Sequence, residues 1–377
     1  MVKINKVNIE NDFARDVWCI LGIPFDNYSM EDVCNVMDDR IAQGNQCVLS
    51  TPNLDWVSMS LRDSDFKKTI INNDVSVIDG TPIFWVSCLL GLPMKEKVPG
   101  STLFGHILHN KRDKNYRLFF FGGQGDAAAQ AFSAVNNMES KIRAVGYYNP
   151  GYGSIENMGK DDVIGKINEA RPDILLVALG SKKGVSWIEK NKNKLSAKII
   201  SHLGATINFI SGKVRRAPLW MQRIGIEWIW RIIEEPALWE RYLKDGVTFI
   251  YLLVARVIPL SLYLLKNKKY ALTKERPAIK TAEEGSSICM KINGVCNHVN
   301  DGTIRDHFKK LAGAEKDIVL DFTDTRYVDN SFLGLLLLLF KYQAMQQKKL
   351  SLVNVDRELA KIFKWNLLDD IMSIDEV

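Results

Sequence analysis

The chain lacks most of the features that reveal a function quickly. Its six cysteines (19, 34, 47, 88, 289 and 296) form no CxxC pair and no zinc spacing, and several lie inside apolar runs. They read as reduced cytosolic thiols, not as a disulfide frame or a structural metal site. Five scattered histidines offer no metal cluster either. The opening stretch, MVKINKVNIEND, has no apolar core of the signal-peptide kind. Charge is nearly balanced, with 50 basic against 44 acidic side chains and a net of +6. That is too even to argue for nucleic acid as a partner.

The 377 residues are 46% apolar, enough core for two or three domains. From about residue 45 to 210, short apolar runs alternate with helical patterns. Residues 46–50, 75–79, 117–121, 173–179 and 198–203 read as strands. Residues 55–70, 101–110, 125–137, 160–170 and 184–194 read as helices. The alternation predicts an α/β fold with a mostly parallel sheet. Each strand ends on small or polar residues: Ser50-Thr51-Pro52-Asn53, Asp79-Gly80, Gly122-Gly123, Gly180-Ser181 and Gly204-Ala205. Those ends share the edge at which open α/β sheets bind ligands.

On that edge Asp79 is the most informative residue. A carboxylate at the end of a buried strand is costly to bury, so it should face a cleft. It reads as a general base or as the cap of the next helix. Thr51 and Asn53 offer short hydrogen-bonding side chains, in a T-P-N stretch that also makes a good turn. Gly122-Gly123-Gln124-Gly125 follows a strand and opens a helix, where glycines let backbone N–H groups approach a phosphate. Gly180 is similarly placed at another strand end.

Residues 219–243 change character. Trp220, Trp228, Trp230 and Trp239 crowd among isoleucines, and the spacing of Arg223, Glu227 and Arg231 predicts one charged stripe on a helix. The stretch reads either as a packed helix or as an interfacial one. Lys213, Arg215, Arg216, Arg223 and Arg231 form a basic cluster suited to phosphates or to an anionic membrane surface. Residues 246–265 are almost all apolar and long enough to cross a bilayer, but Arg256 and Pro259 interrupt them. Basic residues on both sides favour neither orientation. The segment reads as a shallow or re-entrant hairpin or a membrane-facing helix pair, with a genuine span or burial in a homo-oligomer interface as the other solutions. Residues 271–286 are polar and read as a linker. Beyond them, strands at 288–292, 318–322 and 349–353 and helices at 303–311, 332–346 and 357–363 outline a second, small α/β domain. The expected division is 1–243, 244–270, 271–286 and 287–377.

Six motifs occur in order: T-P-N at 51–53, I-D-G-T-P-I-F-W at 78–85, K-V-P-G-S at 97–101, F-F-G-G at 120–123, D-I-L-L-V-A-L-G-S at 173–181, and the long G-A-T-I-N-F-I-S-G-K-V-R-R-A-P-L-W-M-Q-R-I-G-I-E-W at 204–228. Together they resemble the WecG/TagA/CpsF family of bacterial glycosyltransferases, over roughly residues 15–245. The resemblance implies a Rossmann-like enzyme that moves a sugar from a UDP-sugar to a polyprenyl-diphosphate-linked saccharide. The reaction would invert the anomeric centre, without metal or cofactor, on the inner face of the cell membrane, in cell-surface or exopolysaccharide synthesis. It implies Asp79 as catalytic base and Thr51 and Asn53 as substrate-pocket residues. Gly122, Gly123 and Gly180 would hold UDP, and Arg215 and Arg216 would hold the donor or lipid diphosphate, unless they are a solvated basic face. Asp63-Ser64-Asp65 spells the D-x-D of metal-dependent transferases, but within a predicted helix side chains two apart do not face each other. It reads as exposed surface.

The chain departs from the family in places. Many relatives carry G-x-P-K-Q-E-x-W where this chain has Gly180-Ser181-Lys182-Lys183-Gly184-Val185-Ser186-Trp187. Gly184 replaces a glutamine that would normally help bind substrate, and Val185 replaces a glutamate. Lys97 stands for an arginine, Thr102 for an acid and Asn208 for an aspartate. Either specificity has shifted or activity is weakened. The rival reading is a non-catalytic regulator that keeps the transferase fold.

Val328-Asp329-Asn330-Ser331-Phe332-Leu333-Gly334 lies between a strand and an apolar helix. It resembles the D-S-[ST] signature of STAS domains, the anti-sigma-factor-antagonist fold, over residues 287–377. That resemblance implies Ser331 as a phosphorylation site for a partner kinase, with a helix N-cap as the alternative. The domain would regulate the enzyme or dock it to other proteins.

Overall fold

The computed structural model describes residues 6–109 and 114–376. Its centre is a six-stranded, wholly parallel sheet. The strands are β3 (Cys47–Ser50), β4 (Val75–Ser76), β5 (Arg117–Gly122), β6 (Arg143–Tyr148), β7 (Ile174–Ala178) and β8 (Ile199–His202), in the order β4-β3-β8-β7-β5-β6. Ahead of it a two-stranded hairpin pairs β1 (Val17–Ile20) with β2 (Ile23–Asp26). Leu21 and Gly22 turn it with φ of 50° and 77°, the backbone of a tight primed turn. Every strand residue of β3, β7 and β8 is buried, as strands covered on both faces should be.

Several expected elements are shorter or broken. The 75–79 strand is hydrogen-bonded only at Val75–Ser76, so Val77–Asp79 leave the sheet before the chain turns. The 55–70 helix is two helices, Leu54–Ser60 and Ser64–Ile71. The break falls at Asp63, whose side chain caps the second helix by accepting from the Phe66 N–H at 2.9 Å. Asp63 also pairs with Lys182 at 2.6 Å, and Asp65 is exposed beside Lys68. The Arg223–Glu227–Arg231 stripe does not form on one helix. Gly225, at φ 81°, ends the helix Leu219–Ile224 before Glu227–Glu234 begins. The side chain of Arg223 lies outside the described residues.

The apolar segment is neither hairpin nor helix pair. One helix runs through Pro236–Lys266, 31 residues long and the one described helix long and apolar enough to cross a membrane. Pro259 would leave a gap in an α-helical ladder, and the turn before it, Leu253–Val257, widens to a π-helix. Leu252, Val257 and Leu260 face inward. The helix touches Leu54–Ser60 and Thr81–Leu89 on one side and Arg357–Trp365 on the other.

The second domain carries β9 (Ala278–Glu284), β10 (Ser287–Cys296), β11 (Asp317–Val328), β12 (Leu350–Val355) and β13 (Ser373–Glu376), in the order β13-β12-β11-β10-β9. Only β9 runs antiparallel. Seven of the sixteen residues of the expected linker therefore form an edge strand, polar because six of the seven are exposed. The helix Asn330–Met345 is buried on nearly all sides. One face covers its own sheet. The other lies on β1, β2 and the helices Lys6–Ala14 and Ser64–Ile71. A single apolar core runs through both domains, from Phe13, Val17 and Ile20 to Leu333, Leu336 and Leu337. At Gly334 a Cβ would come within 2.3 Å of the Val17 carbonyl oxygen, so the helix and β1 touch backbone to backbone.

Buried charge crosses the same seam. The Arg15 guanidinium donates to Asp26 with two bonds of 2.7 and 2.8 Å and to Asp12 at 3.1 Å. Lys341, on the second domain's helix, donates to Asp12 at 2.9 Å and to Asp74, just before β4, at 3.4 Å. Tyr342 donates to Asp12 at 2.9 Å. Burial works against both charges, yet Lys341 and Arg15 hold the Asp12 carboxyl below its usual range, and Asp12 and Asp74 hold the Lys341 ammonium above its own.

Candidate active site

The C-terminal strand ends of the parallel sheet open into a cleft of about 730 Å³. Thr51, Asn53, Asp79, Gly123 and Gly180 line it together, as their shared edge requires. Asp79 follows the short β4. Its backbone N–H bonds to the Pro52 carbonyl at 3.1 Å, which ties it to the T-P-N turn. The next helix, Thr81–Leu89, is capped by Gly80 with no side-chain bond, so Asp79 does not serve as its cap. The carboxyl is half-buried. Loss of hydration, reinforced by the nearby Glu227, pushes its pKa up to about 7. A hydrogen bond from the Gly100 backbone, Thr51 and the charge of Lys97 pull the other way. Thr51 Oγ1 donates to Asp79 Oδ2 at 3.5 Å, a long contact.

Asn53 caps the helix Leu54–Ser60, its side chain accepting from the Trp56 N–H at 3.3 Å. Turn chemistry and pocket lining therefore coincide in one residue. Gly180, at φ 82°, has no atom within 4 Å of where a Cβ would stand, so its open face is the cleft. Gly122 has another role: a Cβ there would lie 2.4 Å from the Ala178 carbonyl oxygen, and the residue serves strand packing behind the cleft. Gly123, Gln124 and Gly125 form the turn that faces it, with Lys213 donating to the Gln124 carbonyl at 3.1 Å.

Arg215 and Arg216 do not line the cleft. The Arg216 guanidinium donates to Thr102 at 2.9 Å and Gln222 at 3.0 Å, while the Arg215 carbonyl accepts from the Trp230 indole at 2.9 Å. They hold the long loop in place. Among the described residues, the cations that reach the cleft are Arg231, Arg241 and Lys183. Arg231 lies over the Phe209 ring at 5.1 Å and pairs with Glu235. Arg231 belongs to the basic cluster visible in the sequence, but no local signal marks Arg241, which joins the cleft from the long helix. His202 and Tyr152 also line it, and neither stands out in the sequence.

Ser331 is remote from this cleft. It is 2% exposed, its hydroxyl has no partner, and Asp329, not Ser331, caps the helix.

The glycosyl transferase WecG/TagA/CpsF family profile matches residues 18–261. The chain belongs to that family. It is a glycosyltransferase, and the profile of the "Mlab, STAS domain" matches residues 279–373. Among curated relatives, an N-acetylglucosaminyldiphosphoundecaprenol N-acetyl-beta-D-mannosaminyltransferase of Bacillus subtilis is 26% identical over 60% of this chain and 86% of its own length. Proteins of the same name from Bacillus spizizenii (28%, over 54% and 76%) and Staphylococcus aureus MRSA252 (25%, over 62% and 90%) are also similar. A solved complex of SsGBP with GDP aligns over 70% of the chain and 92% of its own at 12% identity with a TM-score of 0.20, and carries no argument.

Proposed function

We propose that this glycosyltransferase moves a sugar from a UDP-sugar to a polyprenyl-diphosphate-linked saccharide, with inversion and without a metal. The observation that carries the reading is Asp79, a carboxyl with a pKa near 7 facing the cleft beside Thr51 and Asn53. An acceptor hydroxyl is a weak nucleophile at neutral pH, and a carboxylate that takes its proton accelerates attack about 10²–10⁴-fold. The acceptor oxygen bonds to the anomeric carbon as its proton passes to Asp79. The bond from that carbon to the diphosphate oxygen breaks, and UDP leaves with the electron pair. Arg231, Arg241 and Lys183 stand where the charge gathering on the leaving diphosphate can be met. The names of the relatives support a lipid-linked acceptor.

Such an acceptor lies in a bilayer. The outer face of the long helix supports contact with that bilayer: Leu243, Val247, Ile250, Val254, Leu262 and Leu265 are each at least 59% exposed. We place the enzyme on the cytoplasmic surface because a UDP-sugar donor would be met there. We read the STAS domain as docked in cis, its helix sealed against the transferase hairpin. A phosphoryl group on Ser331 would bring up to about two negative charges into that dry seam. A Ser331→Asp variant should therefore melt in two steps, as the domains part. A single cooperative melt at the wild-type temperature would refute the sealed arrangement.

The catalytic test is UDP release by purified protein given a panel of UDP-sugars and a polyprenyl-diphosphate saccharide, with and without chelator. Turnover that Asp79→Asn lowers about 10²–10⁴-fold supports the reading. Absence of turnover together with absence of UDP-sugar binding overturns it in favour of a non-catalytic regulator.

A further inference from the structure

His202 ends β8, one strand away from β3 with its Thr51 and Asn53, and next to β7 with its Gly180. Its ring lines the cleft, is 8% exposed and packs against Trp56 at 5.8 Å. Nε2 has no partner among the described residues. A neutral imidazole offers one donor and one acceptor, so this nitrogen can meet a polar hydrogen or a lone pair according to the tautomer. Burial pushes the pKa down to about 4, so the ring is neutral at cellular pH. A buried ring nitrogen with no partner is costly, and this one belongs to a residue that lines the cleft.

The ring owes its place to Gly184. A Cβ on residue 184 would lie 2.1 Å from His202 Cδ2 and 2.7 Å from Nε2. Any side chain there would evict the imidazole.

We propose that His202, seated in the space Gly184 leaves open, exchanges a hydrogen bond with a polar group of the sugar on the UDP donor, and so helps select that sugar. The inference rests on the UDP-sugar reading above. Strand spacing puts β8 roughly 10 Å from β4, between the base and the Gly123–Gly125 turn. A sugar whose diphosphate rests on that turn lies in the interval.

The test compares affinities for UDP and for whichever UDP-sugar the wild type turns over. His202→Phe keeps bulk and removes the ring nitrogens. It should bind UDP within about twofold of wild type and lose roughly 5- to 100-fold for the UDP-sugar, the range for a buried polar group left unpaired. His202→Gln, which restores a donor and an acceptor, should recover most of the loss. Gly184→Ala, which displaces the ring from another element, should reproduce it. Should His202→Phe lose its cooperative melt, the other two variants carry the comparison. Unchanged UDP-sugar affinity in both His202→Phe and Gly184→Ala overturns the proposal, and so does an equal loss for UDP, which would move the contact to the nucleotide. A wild type that binds no UDP-sugar sinks the glycosyl-transfer reading instead.

Discussion

At the seam between the two domains, Asp12, Arg15, Asp26 and Lys341 are each 6% exposed or less, and each meets an opposite charge within 3.1 Å. At the cleft, among the described residues, Asp79 has a hydroxyl 3.5 Å away and no ion pair, and His202 Nε2 has no partner. The same physics governs both places. Burying charge is expensive, and pairing it recovers much of the expense. The seam's four charges are paired with one another, which fixes one arrangement of the domains, although burial still holds the Asp26 carboxyl above its usual range. The cleft is left short of partners, so its groups sit at displaced pKa values and await a ligand.

The largest change should come from unbalancing the seam. Lys341→Ala leaves Asp12 buried without its ammonium, and denaturant unfolding should show a loss of about 3–5 kcal/mol, with turnover per folded molecule retained. A loss under about 1 kcal/mol would mean that the network is not the tie described. A smaller effect should come from the cleft. Asp79 is held well above its unfolded value, so between about pH 4 and 7 the folded state binds the extra proton. The stability it confers is present at the acid end and lost as pH rises through about 7. Stability of wild type minus that of Asp79→Asn should fall with pH across this window, by at most about 1.4 kcal/mol per pH unit, while kcat/KM climbs through about pH 7. A flat difference would show that the carboxyl is not displaced. The smallest effect belongs to Ser331→Ala. It removes a hydroxyl that has no partner, and should leave the midpoint within about 1 kcal/mol of wild type. A larger loss would reveal a bond that the seam does not show.

Much of this could be read from the chain. The strand ends, Asp79 and the apolar helix over 332–346 declare themselves through periodicity and through small residues at fixed places. The sequence misled where long-range geometry decides. Arg215 and Arg216 look like phosphate ligands, but Thr102 and Gln222 claim the Arg216 guanidinium. Arg241 looks like one more helix charge until its helix is docked over the cleft. Gly184 looks like a missing function until His202 is seen standing in its space. The hairpin at 17–26 escaped notice because its burial comes from a helix more than 300 residues later, and no local pattern records that.

The helix Lys6–Ala14 and the hairpin after it find their cover on Asp301–Ala312 and Asn330–Met345, and Lys341 meets Asp12 across 329 positions. During synthesis the beginning of the chain must therefore wait for its end. At roughly 5–20 residues per second, the apolar side of Val17–Ile20 stands uncovered for on the order of half a minute while the transferase sheet is already being assembled. Expression of the first domain alone would prolong that wait indefinitely, making the nascent amino-terminal hairpin a client for chaperones and a point at which a truncated transcript turns into aggregate.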